Sequence, residues 1–218
     1  MSEQARRSPT SHERQAGQPW DASYDDGPAP WDTGRPQPAV VRLADAGGFT
    51  GRVLDAGCGT GENALHLAAR GLSVLGVDVA PTAVARAREK AAARGLDAGF
   101  EFADALDLGP LGRVFETVLD CGLFHTFDSD ERRDYVASLA AVTRPGGRLH
   151  LLCFSDVGAG LGPHPVSEQE LRAAFPDSSG WRVETLRPER CLTRFHGEAG
   201  APAWLATLRR LEAGGAGA

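Results

Sequence analysis

Short apolar runs alternate with amphipathic stretches along most of this chain. Val53-Leu54 ends in Asp55, Ser73–Val77 ends in Asp78, and Phe100-Glu101-Phe102 leads into Ala103-Asp104. Apolar runs of this length, bounded by turn residues, read as buried strands. Between them lie helical patterns. Residues 62–70 form one, stopped by Gly71, and residues 81–94 form another, with Pro81 in the first turn and Gly95 behind the last. A strand at 115–120 precedes a helix at 129–142, whose opening Asp128-Ser129-Asp130-Glu131 has the form of a capping box. Tyr135, Leu139 and Val142 share one face of that helix. Arg148–Phe154 reads as a fifth strand, and Ser167-Glu168-Gln169-Glu170 as a second capping box opening a helix that ends before Pro176. Trp181–Leu186 and Cys191–Phe195 are expected to be the last two strands. Strands alternating with helices predict a parallel, doubly wound α/β sheet.

The flanks differ. Residues 1–18 are polar and are expected to be a disordered tail, and 214–218 a flexible end. Residues 19–47 read as an N-terminal lid and a short helix, Ala39–Ala46, leading into the main α/β domain over 48–213. The lid is rich in Pro, Gly and Asp yet carries Trp20 and Trp31. Large aromatics without regular spacing need something to cover, and a bound ligand is one candidate.

The most informative segment is Val53-Leu54-Asp55-Ala56-Gly57-Cys58-Gly59-Thr60-Gly61-Glu62. A glycine loop between strand and helix lets backbone approach a ligand where any Cβ would collide. The spacing is G-x-G-x-G, with Asp55 at the strand tip and Glu62 at the helix start. Two acids there repel a pyrophosphate, so a cationic, phosphate-free nucleoside is the better guest. Asp78 follows about 20 residues after the first glycine, the usual distance to a carboxylate that binds a ribose hydroxyl pair. Its alternative use is as a capping acid beside Pro81.

These features, with Asp104 and the Arg144-Pro145-Gly146-Gly147 turn, make residues 31–154 resemble the class I S-adenosylmethionine-dependent methyltransferases. The resemblance implies a Rossmann-like, seven-stranded sheet, mostly parallel with an antiparallel last strand. It also implies S-adenosylmethionine as cofactor. Asp78 would bind the ribose and Asp104 the adenine amino group; Gly57 and Gly59 would pack against the methionine part. Asp55, Cys58, Gly61, Val79, Ala105, Asp120 and Cys121 would complete the cofactor site. The segment Pro30-Trp31-Asp32-Thr33-Gly34-Arg35 is similar to one that precedes the domain in thiol, thiopurine and halide methyltransferases and in small bacterial methyltransferases for heterocyclic toxins. That likeness would set Trp31 over the cofactor and pair Arg35 with its carboxylate.

Charge and cysteine content narrow the partners. A net charge of −6 argues against nucleic acid, which needs a basic face. No apolar run reaches a membrane span, and residues 1–18 lack the apolar core of a secretory signal. The four cysteines stand far apart, without the spacings of zinc or redox sites, and read as reduced thiols of a cytoplasmic protein. No metal is expected, and the chain is expected to act as a monomer on a small-molecule methyl acceptor.

On the acceptor side, Trp20, Tyr24, Phe124 and His125 are the candidate contacts. His125 is the only histidine expected to face the crevice, and an imidazole there could take a proton from the acceptor. The segment after the fourth strand, Asp120-Cys121-Gly122-Leu123-Phe124-His125, lacks the motif of enzymes that methylate nucleic-acid amines and departs from the plant halide enzymes. A thiol is the expected acceptor because it ionises most readily at neutral pH, with a phenolic oxygen or heterocyclic nitrogen as alternatives.

Overall fold

The computed structural model describes residues 7–157 and 164–212. Its centre is a seven-stranded sheet in the order β3-β2-β1-β4-β5-β7-β6. The strands are β1 Arg52–Ala56, β2 Ser73–Asp78, β3 Ala98–Phe102, β4 Phe115–Cys121, β5 Thr143–Phe154, β6 Trp181–Cys191 and β7 Ala201–Arg210. The first five run parallel; β7 pairs antiparallel with both β5 and β6. The helices are α1 Ser11–Ala16, α2 Pro38–Asp45, α3 Glu62–Ala68, α4 Pro81–Arg94, α5 Ser129–Val142 and α6 Glu168–Ala174.

Alternation along the strands divides the core. Leu54, Leu75, Val118 and Leu149 pack with Tyr135 and Leu139 of α5 and Leu171 of α6. Their neighbours Val53, Val74 and Leu119 pack with Leu65 of α3 and Val84 of α4. A strand covered on both faces must be apolar at nearly every position, which is why these runs were continuous in the sequence. β1 reverses from β2 to β4 at the centre of the order, and the ligand crevice of such a sheet lies beyond the strand ends there.

Two expectations need correction. Residues 1–18 were expected to be disordered, but Ser11–Ala16 is helical. Thr10 and Glu13 form a reciprocal capping box, and Gly17, in the left-handed region, closes the other end. Ser11 also donates its amide and hydroxyl to the Glu131 carboxylate, which fixes α1 to the start of α5. A polar segment is thus ordered by its caps and by a distant carboxylate. Residues 1–6 and 214–218 lie outside the described residues. Secondly, Cys191–Phe195 is not a strand. Cys191 ends β6, and the backbone beyond it bonds elsewhere: Leu192 exchanges two hydrogen bonds with the Gln37 side chain, and the Arg194 amide donates to Pro30 at 2.8 Å. The closing strand is β7, ten residues further on.

Candidate active site

The loop from β1 to α3 forms the floor of a cavity of about 620 Å³. Gly57, Gly59 and Gly61 hold φ of 71°, 53° and 86°, the left-handed region that other residues avoid. Space also matters: a Cβ at Gly57 would lie 2.9 Å from Leu123, and one at Gly59 would lie 3.2 Å from the Tyr24 hydroxyl. Cys58 lines the same floor.

At the end of β2, Asp78 accepts the Gly59 amide at 2.8 Å on one oxygen and the Ala80 amide at 2.9 Å on the other. Burial raises its pKa, and these amides oppose that rise. Each oxygen keeps a lone pair for a ligand hydroxyl, so the capping bonds leave room for a ligand on the same carboxylate. Val79, Asp104 and Ala105 line the wall beside it. Asp104 caps the turn after β3 by accepting the Leu106 amide at 3.0 Å. Cys121 lies opposite, at the end of β4.

The roof comes from the N-terminal segment. Trp31 donates its ring N–H to the Tyr24 hydroxyl at 3.1 Å, which places that hydroxyl over Gly59. Trp20 packs edge-on to Trp31, with ring centres 5.5 Å apart, and His12 of α1 stacks on Trp20 at 4.5 Å. Asp32 accepts the Thr60 hydroxyl at 2.7 Å, and Lys90 donates to the same hydroxyl. These bonds tie the roof to the floor. Arg35 lines the cavity, but its guanidinium pairs with Glu198 at 2.7 Å, both side chains being exposed.

Three expected contacts lie elsewhere. Asp55, Asp120 and Phe124 are buried beneath the floor and do not line the cavity. Phe124 packs on Phe175 instead, in the core. The Asp120 carboxylate accepts the amides of Leu123 and Phe124 at 3.0 Å each, shaping the loop that carries His125. Burial, reinforced by Asp120, pushes the Asp55 pKa up to about 7, and burial does the same to Asp120. One Asp55 oxygen has no hydrogen-bond partner among the described residues.

His125 does line the cavity, but it is not alone: His12 and His196 line it too. The His125 ring stacks on Phe154 at 4.2 Å, and its Nδ1 accepts the Phe154 amide at 3.3 Å. An amide pointing at Nδ1 requires a lone pair there, so the ring proton belongs on Nε2. Burial first, then Arg132, His164 and His12, lower its pKa to about 3. A neutral imidazole with Nε2–H is a hydrogen-bond donor, and the expected role as proton acceptor does not fit this geometry.

Sequence reasoning missed Arg7, Thr10 and His12, all on the cavity wall, because the polar tail hid them. The signal was present: Thr10-Ser11-His12-Glu13 is a capping box by sequence. It missed Phe154, Leu192, Thr193, Phe195 and His196 for want of any local motif.

Residues 53–147 match a family model described as a methyltransferase domain. The 2-heptyl-1-hydroxyquinolin-4(1H)-one methyltransferase of Mycobacteroides abscessus is 39% identical over 165 residues, covering 74% of this chain and 72% of that protein. A probable thiol methyltransferase of Arabidopsis thaliana is 32% identical over 69% of this chain and 68% of its own length. Among solved structures, one described under "Conversion of a Disulfide Bond into a Thioacetal Group during Echinomycin Biosynthesis" superposes with a TM-score of 0.76 at 43% identity, over 84% of this chain and 86% of that one. Magnesium protoporphyrin IX methyltransferase of Synechocystis PCC 6803 with bound SAM gives 0.61 at 26% identity, over 79% and 76%. A floor built on three glycines, a carboxylate with lone pairs to spare and an aromatic roof suit that cofactor. The chain belongs to the S-adenosylmethionine-dependent methyltransferases and resembles their small-molecule members.

Proposed function

We propose that the protein methylates a small-molecule thiol that reaches the methyl group already ionised. The observation that carries this reading is the hydrogen bond that His125 accepts from the Phe154 amide. Its Nδ1 is engaged by the Phe154 amide, which leaves Nε2–H to donate toward the cavity. A donor beside the nucleophile stabilises an anion but removes no proton. Burial pushes the cavity thiols up, Cys191 to about 12, and raises Tyr24 as well, so none of these is a base near neutral pH. An acceptor that supplies its own ionisation suits such a wall. A thiol, with an ordinary pKa of about 8.5, does so far more readily than a phenol at about 10. The thiol-methylating relative and the sulfur chemistry named for the 43%-identical structure support the same reading.

Methyl transfer is an in-line displacement on an activated sulfonium carbon. The enzyme's work is alignment and exclusion of water. Asp78 and Asp104 would hold the nucleoside end, the glycine floor would set the methionine end, and the Trp20–Trp31–Tyr24 roof would cover both. A second reading is an acidic hydroxyl on a heteroaromatic ring. The acceptor named for the Mycobacteroides relative favours it, as does the aromatic wall of Trp20, His12 and Phe154.

The test is turnover with S-adenosylmethionine on a series of thiophenols of graded acidity and on 1-hydroxyquinolin-4(1H)-one. The pH at which kcat/KM levels should follow the acceptor's own pKa along the series. A level point fixed at one pH for every acceptor would assign the ionisation to the enzyme and end this reading.

A further inference from the structure

The acceptor side of the cavity has an electrostatic difficulty. The chain carries a net charge of −6, and Asp78 and Asp104 line the cavity. An anion entering there meets repulsion. Something must offset it, and Arg132, in the second turn of α5, is in position to do so. It is the one arginine among the described residues whose exposure falls as low as 9%. Its guanidinium lies over the Phe124 ring at 5.0 Å, and its hydrogen bonds go to two carbonyls, Phe124 at 3.5 Å and His164 at 3.3 Å. Among the described residues no carboxylate lies within salt-bridge distance of it. The acids that face it are committed elsewhere. Asp128 caps α5 through the amides of Asp130 and Glu131, and Glu170 accepts the amide and hydroxyl of Ser167. His125, His164 and Cys153 are its other ionisable neighbours.

Burying a cation without a direct ion pair is costly. The Phe124 ring and two carbonyls hold the guanidinium in place, and Glu170 and Asp128 reach it only through space. The charge itself is directed at His125: Arg132 bonds the carbonyl of the residue before it and is the first charged group that lowers its pKa after burial.

We infer that Arg132 supplies the positive field behind His125 that holds the methyl acceptor as an anion, making the enzyme selective for acceptors that bind ionised. This rests on the proposed acceptor chemistry. The step balances as follows. R–SH releases its proton to solvent on binding. The thiolate pair then attacks the methyl carbon, and the carbon–sulfonium bond breaks with its electrons returning to sulfur. The products are the neutral thioethers S-adenosylhomocysteine and R–S–CH₃. Arg132 is a positioning residue in this scheme; it acts through the wall and touches no reacting atom.

The test is calorimetric titration of protein loaded with S-adenosylhomocysteine. The probes are thiophenol and methyl phenyl sulfide, its neutral methylated counterpart, each in two buffers of different ionisation enthalpy. Wild type should release about one proton on binding thiophenol at about pH 5, where the free thiol is protonated. R132M should lose about 10-fold or more in affinity for thiophenol, since it removes a cation from behind the bound anion. Its affinity for methyl phenyl sulfide should not change, and R132K should keep most of the thiophenol affinity. If R132M folds poorly, R132Q carries the comparison, since it retains a donor without the charge. Equal losses for both probes, no loss for thiophenol, or wild-type binding without proton release would each overturn the inference. Turnover separates the two ideas. Wild type that methylates no acidic acceptor fails the functional reading, whereas normal wild-type turnover with equal probe losses in R132M removes only the role of Arg132.

Discussion

The buried carboxylates under the glycine floor make a prediction about stability against pH. Asp55 is 1% exposed, and one of its oxygens lacks a hydrogen-bond partner among the described residues. Burial, with Asp120 second, raises its pKa from 3.8 to about 7. A raised native pKa means that the folded state holds a proton the unfolded chain has already lost. Stability from this group is therefore complete below about pH 4, falls as pH rises, and levels off above about pH 7. Asp55→Asn keeps the shape and fixes the neutral state, so it should match wild type in acid and exceed it in base. At about 1.4 kcal/mol per pH unit the ceiling is about 4 kcal/mol. Asp120 shares the same burden, so part of the relief comes from repartitioning one proton, and we expect about 1–3 kcal/mol above pH 7. Urea unfolding of both proteins from about pH 5 to pH 9 measures the difference directly. Asp120→Asn should gain less, because it weakens the bonds to Leu123 and Phe124. A variant less stable than wild type at high pH, or a difference independent of pH, would refute the argument.

The other predictions concern the cavity. Asp78→Ala should weaken S-adenosylmethionine binding by about 2–4 kcal/mol, since it strips an acceptor from ligand hydroxyls and from the Gly59 and Ala80 amides; calorimetry reads it, and unchanged affinity removes Asp78 from the site. Deleting residues 1–17 should sharply reduce turnover although the sheet is untouched, because α1 places His12 against Trp20; full activity of the truncated protein would mean the wall is complete without it. His125→Ala should lower kcat for thiols by about 10-fold or more without moving the pH at which the profile levels, because a donor and not a base is lost. A shift of that pH toward the alkaline side in the variant would return the base role to His125.

The sheet was legible because strands buried on both faces leave nearly unbroken apolar runs. Ser73–Asp78, Pro81–Arg94 and Ser129–Val142 emerged with the predicted bounds. Capping chemistry was equally visible at Asp128 and Ser167. The same chemistry at Thr10 was overlooked because no apolar stripe follows it. What stabilises α1 is the Glu131 carboxylate, 120 residues away, and no local window contains that. Asp55 and Asp120 were misplaced for a related reason: sequence puts an acid at a strand end but does not say whether the next loop covers it. Cys191–Phe195 has strand-like residues, yet Gln37 and Pro30 take its backbone bonds, and those partners come from the opposite end of the chain.

The cavity wall has two sources. The floor and the nucleoside end are made by turns that join core strands to core helices, where a substitution disturbs the sheet itself. The opposite wall is contributed by α1 and by the loop that follows β6, both of which lie outside the parallel core. Mutations can accumulate in those borrowed pieces while the donor's seat stays intact. A lineage built this way can exchange one acceptor for another by editing its margins, and the ability to transfer a methyl group survives each exchange.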